Sequence, residues 1–149
     1  MKTHVIERHA TTSADADTVF GLLCDALSWP TWSPLGTAEI ERPSAAGPGT
    51  VGEQRLFVTR GLKSHEEVVV ADRPDRFAYV LRKGLPLNGY RADVTMTPAA
   101  GGSGTDITWR STFTAKVPCT GWLFRWQLGG FIGDVVDGLA ARASSTVPD

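Results

Sequence analysis

From Tyr90 to Met96 the chain alternates: Tyr90, Ala92, Val94 and Met96 are apolar, while Arg91, Asp93 and Thr95 between them are polar. A period of two sends successive side chains to opposite faces, so this run predicts a strand with one face in a core and the other in water. Residues 106–115 repeat the pattern, with Ile107, Trp109 and Phe113 inward and Asp106, Thr108 and Arg110 outward. Four further runs, 37–41, 52–59, 62–72 and 76–83, carry β-branched or aromatic residues. Turn-forming sequences divide the runs: 43–50, Arg60-Gly61, Arg73-Pro74-Asp75, 84–89 and 99–105. Links this short favour antiparallel neighbours, and a seventh strand is predicted over 4–11. Alternation leaves the register open around 62–72.

The period becomes helical in two places. Val19, Phe20, Leu22, Leu23 and Leu27 recur at helical spacing, predicting a short amphipathic helix over about 14–25, with Ser13 as its cap and Asp15 and Asp17 in its first turn. Residues 26–34 hold Trp29, Trp32 and two prolines, which limit this stretch to one compact turn against the core. The second place, 120–143, is a long helix rich in Trp and Phe and interrupted by Gly129, Gly130, Gly133 and Gly138. Each interior glycine costs roughly 1 kcal/mol relative to alanine. The expected reason to keep four is space, either for a backbone packed close by or for a small apolar ligand. The residues Trp122, Phe124, Trp126, Phe131 and Ile132 cover more than one helical face, so some must meet a surface other than the sheet.

At 149 residues the chain is expected to form one domain, 1–149, with one core. A net charge of -1 argues against a nucleic-acid partner and for a neutral or apolar one. Charge arrives early, at Lys2, Glu7 and Arg8, and no stretch reaches the roughly 20 apolar residues of a membrane span. The expectation is a cytoplasmic protein with no integral membrane segment. Cys24 and Cys119 lack CxxC spacing and His4, His9 and His65 are scattered, so neither a metal nor another cofactor is expected. A nucleophile elbow and a phosphate-cradling loop before a helix are both missing.

The order strand, two short helices, six antiparallel strands and long terminal helix resembles the helix-grip fold of the START-like (SRPBCC) superfamily, and within it the polyketide cyclase/dehydrase and lipid-transport family. Three stretches carry the likeness: Ala16 to Phe20 leading into Trp29-Pro30-Thr31-Trp32-Ser33-Pro34; Glu66-Glu67-Val68 running on to Asp72-Arg73-Pro74-Asp75-Arg76-Phe77; and Gly84-Leu85-Pro86 through Tyr90 to Gly104-Thr105 and Trp109. The resemblance implies an α+β fold, a curved antiparallel sheet wrapped around the C-terminal helix, with a cavity between them for a small hydrophobic molecule of polyketide or lipid type. It implies fold more sharply than reaction, since the family holds both cyclases and lipid carriers.

Ring closure on a poly-ketone needs a base beside a carbonyl, a donor for the enolate oxygen and a pocket that bends the chain. Glu66, Tyr90 and Arg55 are the candidate catalytic residues; strand parity allows an inward Arg55–Glu66 pair, with a cross-strand structural ion pair as the alternative. The expected ligand-binding set is Trp29, Trp32, Phe57, Val68, Tyr90, Val94, Trp109, Trp126, Gly129 and Gly133. His65 has outward parity. Two non-catalytic readings stay open, a carrier and an interaction module that uses the aromatic helix, and so does a homodimer.

Overall fold

The structure, a computed structural model, describes residues 2–147. Its strands are β1 (His4–Thr12), β2 (Thr37–Arg42), β3 (Gln54–Thr59), β4 (Leu62–Asp72), β5 (Arg76–Lys83), β6 (Leu87–Pro98) and β7 (Thr105–Ala115). They form one antiparallel sheet in the order β1-β7-β6-β5-β4-β3-β2. The meander is thus completed by β1 pairing with β7, and the helices α1 (Ala16–Cys24) and α2 (Trp29–Trp32), joined by a 3₁₀ turn at Ala26–Ser28, lie between β1 and β2. The long helix α3 (Gly121–Ser145) packs chiefly along β1 and also meets β7, α1 and α2. Among the described residues no helix is long and apolar enough to cross a membrane, and no cluster of His, Cys, Asp or Glu could hold a metal ion.

Turn chemistry explains the meander. Arg60 and Gly61 take φ of 52° and 80°, the left-handed pair a two-residue hairpin needs between β3 and β4. Gly84, at φ 115°, lies so close to the Lys63 carbonyl that a Cβ would overlap it, which draws the β5–β6 turn onto the β3–β4 hairpin. The register left open in β4 is set by two irregularities, between His65 and Glu66 and between Val68 and Val70. Such bulges shift which residues face inward and bend the strand.

Both helical stretches depart from expectation in detail. Asp15, not Ser13, caps α1: its Oδ1 accepts from the Thr18 N–H at 2.8 Å. Ser13 is instead held by α3, its N–H donating to Ser144 Oγ at 3.1 Å. Leu27, expected on the buried stripe of α1, is exposed because α1 ends at Cys24 and Asp25 leaves helical geometry, which breaks the spacing. In α3 the residues Ile132, Val135, Val136, Leu139, Ala140 and Ala143 are buried, a clean 3–4 spacing against the sheet and α1. The first half differs: Trp122 and Trp126 are 68% and 74% exposed, and Phe124, Leu128 and Phe131 are half-buried.

Candidate functional site

The inner face of the sheet, on the side covered by α1, α2 and α3, is built by alternation. Phe57 on β3, Val68 on β4, Phe77 and Tyr79 on β5, Val94 on β6 and Trp109 on β7 are all buried there. Trp29 descends onto them from α2, stacked on Phe57 with centroids 5.0 Å apart and edge-on to Tyr79 and Trp109 at 6.0 and 5.9 Å. Tyr79 leads on to Tyr90 at 6.2 Å, Tyr90 to Phe113 at 6.4 Å and Phe113 to His4 at 5.4 Å. A continuous run of rings therefore crosses the concave face from β3 to β1. Apolar burial of this size favours the fold at roughly 25 cal/mol per Å².

A few polar groups lie within this run. Glu66 is the most distinctive. The residue keeps some accessible surface, none of it at Oε1, and Oε1 has no hydrogen-bond partner in the protein. Oε2 accepts from Ser64 Oγ at 2.6 Å. Burial drives the Glu66 carboxyl up to about 7, against the smaller opposing pulls of Ser64 and the Arg55 charge. Trp109 Nε1 is buried and lies near enough to the Tyr79 hydroxyl to favour its ionised form a little, but it makes no hydrogen bond of good geometry. Tyr90 shares a hydrogen bond with Ser111 Oγ at 2.9 Å, and burial pushes its phenol up to about 12. Burial, followed by Tyr90 and Glu66 beside it, holds the Tyr79 phenol well above its ordinary value. Both phenols are thus protonated donors at any physiological pH, while Glu66 can exchange a proton near neutrality. Buried polar groups without partners are rare because each forfeits its hydration. Three such atoms lie along this run of rings: Glu66 Oε1, Trp109 Nε1 and, at its far end, His4 Nδ1.

Arg55 faces inward directly opposite Glu66 in the β3–β4 register, as parity allows. Its guanidinium, however, is anchored on Glu53: Nε donates to Glu53 Oε1 at 2.7 Å. Nη1 and Nη2 donate to the Leu23 and Cys24 carbonyls, both at 3.0 Å, and the guanidinium also lies over the Trp29 and Phe77 rings. The Arg55–Glu66 ion pair allowed by the sequence is therefore replaced by an Arg55–Glu53 pair that ties β3 to the end of α1. Arg55 reaches Glu66 only through its field. His65 lies on the outer face, bonded to Glu41 Oε1 at 2.7 Å.

The remaining expected ligand residues divide. Trp32 is buried beside Trp29 at 5.4 Å, whereas Trp126 points into solvent. Gly129 and Gly133 face Arg8 of β1: a Cβ on Gly129 would stand 2.6 Å from Arg8 Nη2, and one on Gly133 3.7 Å from Arg8 Nε. Arg8 Nε donates to the Gly129 carbonyl at 3.2 Å. Gly138 makes room for backbone, since a Cβ there would overlap the Trp32 carbonyl oxygen. So the helix glycines admit an arginine and a neighbouring turn in this structure, and only Gly130 has open space beside it.

Among the described residues, the rings described above pack on one another across the middle of the concave face. Two clefts lie elsewhere on the molecule. One of about 560 Å³ runs between α1 and the β2–β3 loop, past Cys24, Pro43, Pro48 and Arg73. Another of about 700 Å³ lies at the opposite end of the strands from the β3–β4 hairpin, past Asp15, Pro74, Met96 and Ser103.

Residues 3–144 match the family model described as polyketide cyclase / dehydrase and lipid transport. The chain belongs to that family. A sequence comparison with curated proteins gives no match. Among solved structures, a START superfamily protein from Mycobacterium smegmatis superposes with a TM-score of 0.78 at 16% identity, covering 97% of this chain and 99% of that one. A protein from Thermobifida fusca gives 0.76 at 22% identity over 95% and 93%. Norcoclaurine synthase from Thalictrum flavum, solved with dopamine and hydroxybenzaldehyde, gives 0.77 at 17% identity over 99% and 90%. These likenesses establish the START-like helix-grip fold.

Tyr79 and Ser111 belong to the polar set but escape the sequence reading. Residues 76–83 are apolar on both parities, so alternation does not single out Tyr79. Ser111 did leave a signal: it is a hydroxyl on the inward parity between Trp109 and Phe113.

Proposed function

We propose that the concave face binds a small, mainly apolar molecule bearing carbonyl or hydroxyl oxygens, and that Glu66 moves a proton on it. The family and fold support a hydrophobic ligand. The observation that carries the chemistry is the Glu66 carboxyl, poised near pH 7 with Oε1 unpartnered, on the same apolar face as the unpartnered Trp109 Nε1. As a carboxylate, Glu66 would take a proton from carbon next to a carbonyl, and Trp109 Nε1 or Tyr90 Oη would donate to the enolate oxygen that forms. Run in the other direction, the protonated acid would assist loss of a hydroxyl as water. Both steps belong to polyketide cyclisation and dehydration. The aromatic run would hold flat, conjugated ligands by their faces. Arg55 acts here as a positioning residue, fixing the end of α1 over the face and favouring the ionised form of Glu66. Because rings fill the face, a ligand would enter by parting them, with the loosely covered first half of α3 giving way.

The test uses aromatic poly-ketone mimics with Glu66→Gln and Tyr90→Phe. The enzyme reading expects turnover whose acid limb lies near pH 7 and disappears in Glu66→Gln. A carrier needs no base and gains only from covering apolar surface. Saturable binding of an apolar fluorophore that both variants retain, with no turnover in the wild type, would replace the enzyme by the carrier.

A further inference from the structure

One end of the molecule is both basic and apolar; the carboxylate that reaches the segments forming it is Glu67, paired with Arg82 at 2.7 Å. Three connections meet there. The Lys116 N–H donates to the Pro86 carbonyl at 3.2 Å, so the β7–α3 loop lies on the β5–β6 turn. Gly84 packs on Lys63, which brings in the β3–β4 hairpin, and Gly121 packs on His4 at the start of β1. Across residues 60–64, 82–88 and 115–133 there is no Asp or Glu, although the chain has 16. Arg60, Lys63, Lys83, Lys116 and Arg125 are five of its 15 basic residues, and none of them forms an ion pair among the described residues. Between them stand Leu62, Val117, Trp122 and Trp126, all more than half exposed. Trp122 and Trp126, four residues apart, share one face of α3 with Arg125 beside them. The acidic residues of α3, Asp134 and Asp137, fall in its other half.

We propose that this end docks on an anionic lipid bilayer. Indole rings settle at the boundary between headgroups and acyl chains, where the apolar body and the N–H are both satisfied. Unpaired lysines and arginines around them meet the negative surface potential of anionic lipid. A protein partner fits less well, because protein interfaces are depleted in lysine and here three lysines ring the apolar residues. The segregation also matters for orientation: with a net charge of -1 for the whole chain, a predominantly basic end makes a dipole that turns this end toward an anionic surface. Docking would bring the first half of α3 to the lipid.

Cosedimentation with phosphatidylcholine vesicles, with and without phosphatidylglycerol, tests the proposal, with tryptophan emission read in parallel. Expected are binding to the anionic vesicles with a blue shift, weakening at high salt, and loss of both in Trp122→Ala/Trp126→Ala. Lys63→Glu/Lys83→Glu, at exposed ends of β4 and β5 and independent of the helix, is expected to lower partitioning roughly fivefold or more for each reversed charge. Glu66→Gln should bind vesicles like the wild type, so the outcome is separate from that of the proposed chemistry. Three results would overturn docking: no binding to anionic vesicles, binding that survives both double variants, or tryptophan-dependent self-association in sedimentation equilibrium without vesicle binding. The last would assign the patch to a second copy of the chain.

Discussion

Glu66 should leave a thermodynamic trace even without a ligand. Its carboxyl is raised from the usual 4.5 to about 7, so between those values the folded protein holds a proton that the unfolded chain has lost. Stability therefore falls as pH rises through this window, by up to about 3 kcal/mol once Glu66 is ionised in both states. Glu66→Gln removes that dependence. Melting temperatures followed by circular dichroism should show the wild type losing several degrees relative to the variant between pH 4.5 and pH 8; a constant difference across this range would rule the shifted carboxyl out. Arg55 makes the opposite kind of case. Arg55→Met keeps much of the volume but leaves Glu53 buried and the Leu23 and Cys24 carbonyls without their donor. Removing one partner of a buried pair costs about 3–5 kcal/mol, measurable as a shifted urea midpoint. Parity alone could place Arg55 and Glu66 opposite each other. It could not choose Glu53 as the partner, because that choice depends on the α1 carbonyls, which arrive from 32 and 31 residues away in sequence.

At the scale of elements, most of the architecture was legible because each signal was local. Alternation in β6 and β7 gave the inner face, and turn residues such as Arg60-Gly61 gave the hairpins. Where a local signal had two readings, tertiary contact decided. Ser13 and Asp15 could each cap α1, and Ser144 of α3 claims Ser13. The α3 glycines make space, yet whose space depends on how α3 crosses β1 and α2. That assignment makes a paired prediction. Gly138→Ala forces a methyl into the Trp32 carbonyl and must push α2 and α3 apart, so it should destabilise despite alanine's better helix propensity. Gly130→Ala meets open space and should stabilise by roughly 0.5–1 kcal/mol. Denaturant unfolding of the two variants separates the effects; the same sign in both would mean that α3 does not cross α2 as described.

For the molecule as a whole, the uneven burial of α3 connects stability to access. Its second half is anchored by six buried apolar residues between Ile132 and Ala143, while its first half rests on half-buried side chains and turns two tryptophans to solvent. Gly129, Gly130 and Gly133 fall at the junction, where a helix has least intrinsic reason to persist. Regions with few buried contacts open at lower free energy than the rest of a fold. Amide hydrogen exchange should therefore proceed in two stages along one continuous helix, with Gly121–Phe131 exchanging before Ile132–Ser145. An apolar ligand bound on the concave face should slow the first stage more than the second, since it would add contacts under the half that lacks them. If both halves exchange together, α3 opens only with the whole domain, and a ligand would have to reach the rings around Tyr79 and Trp109 by some route other than the parting of this helix from β1.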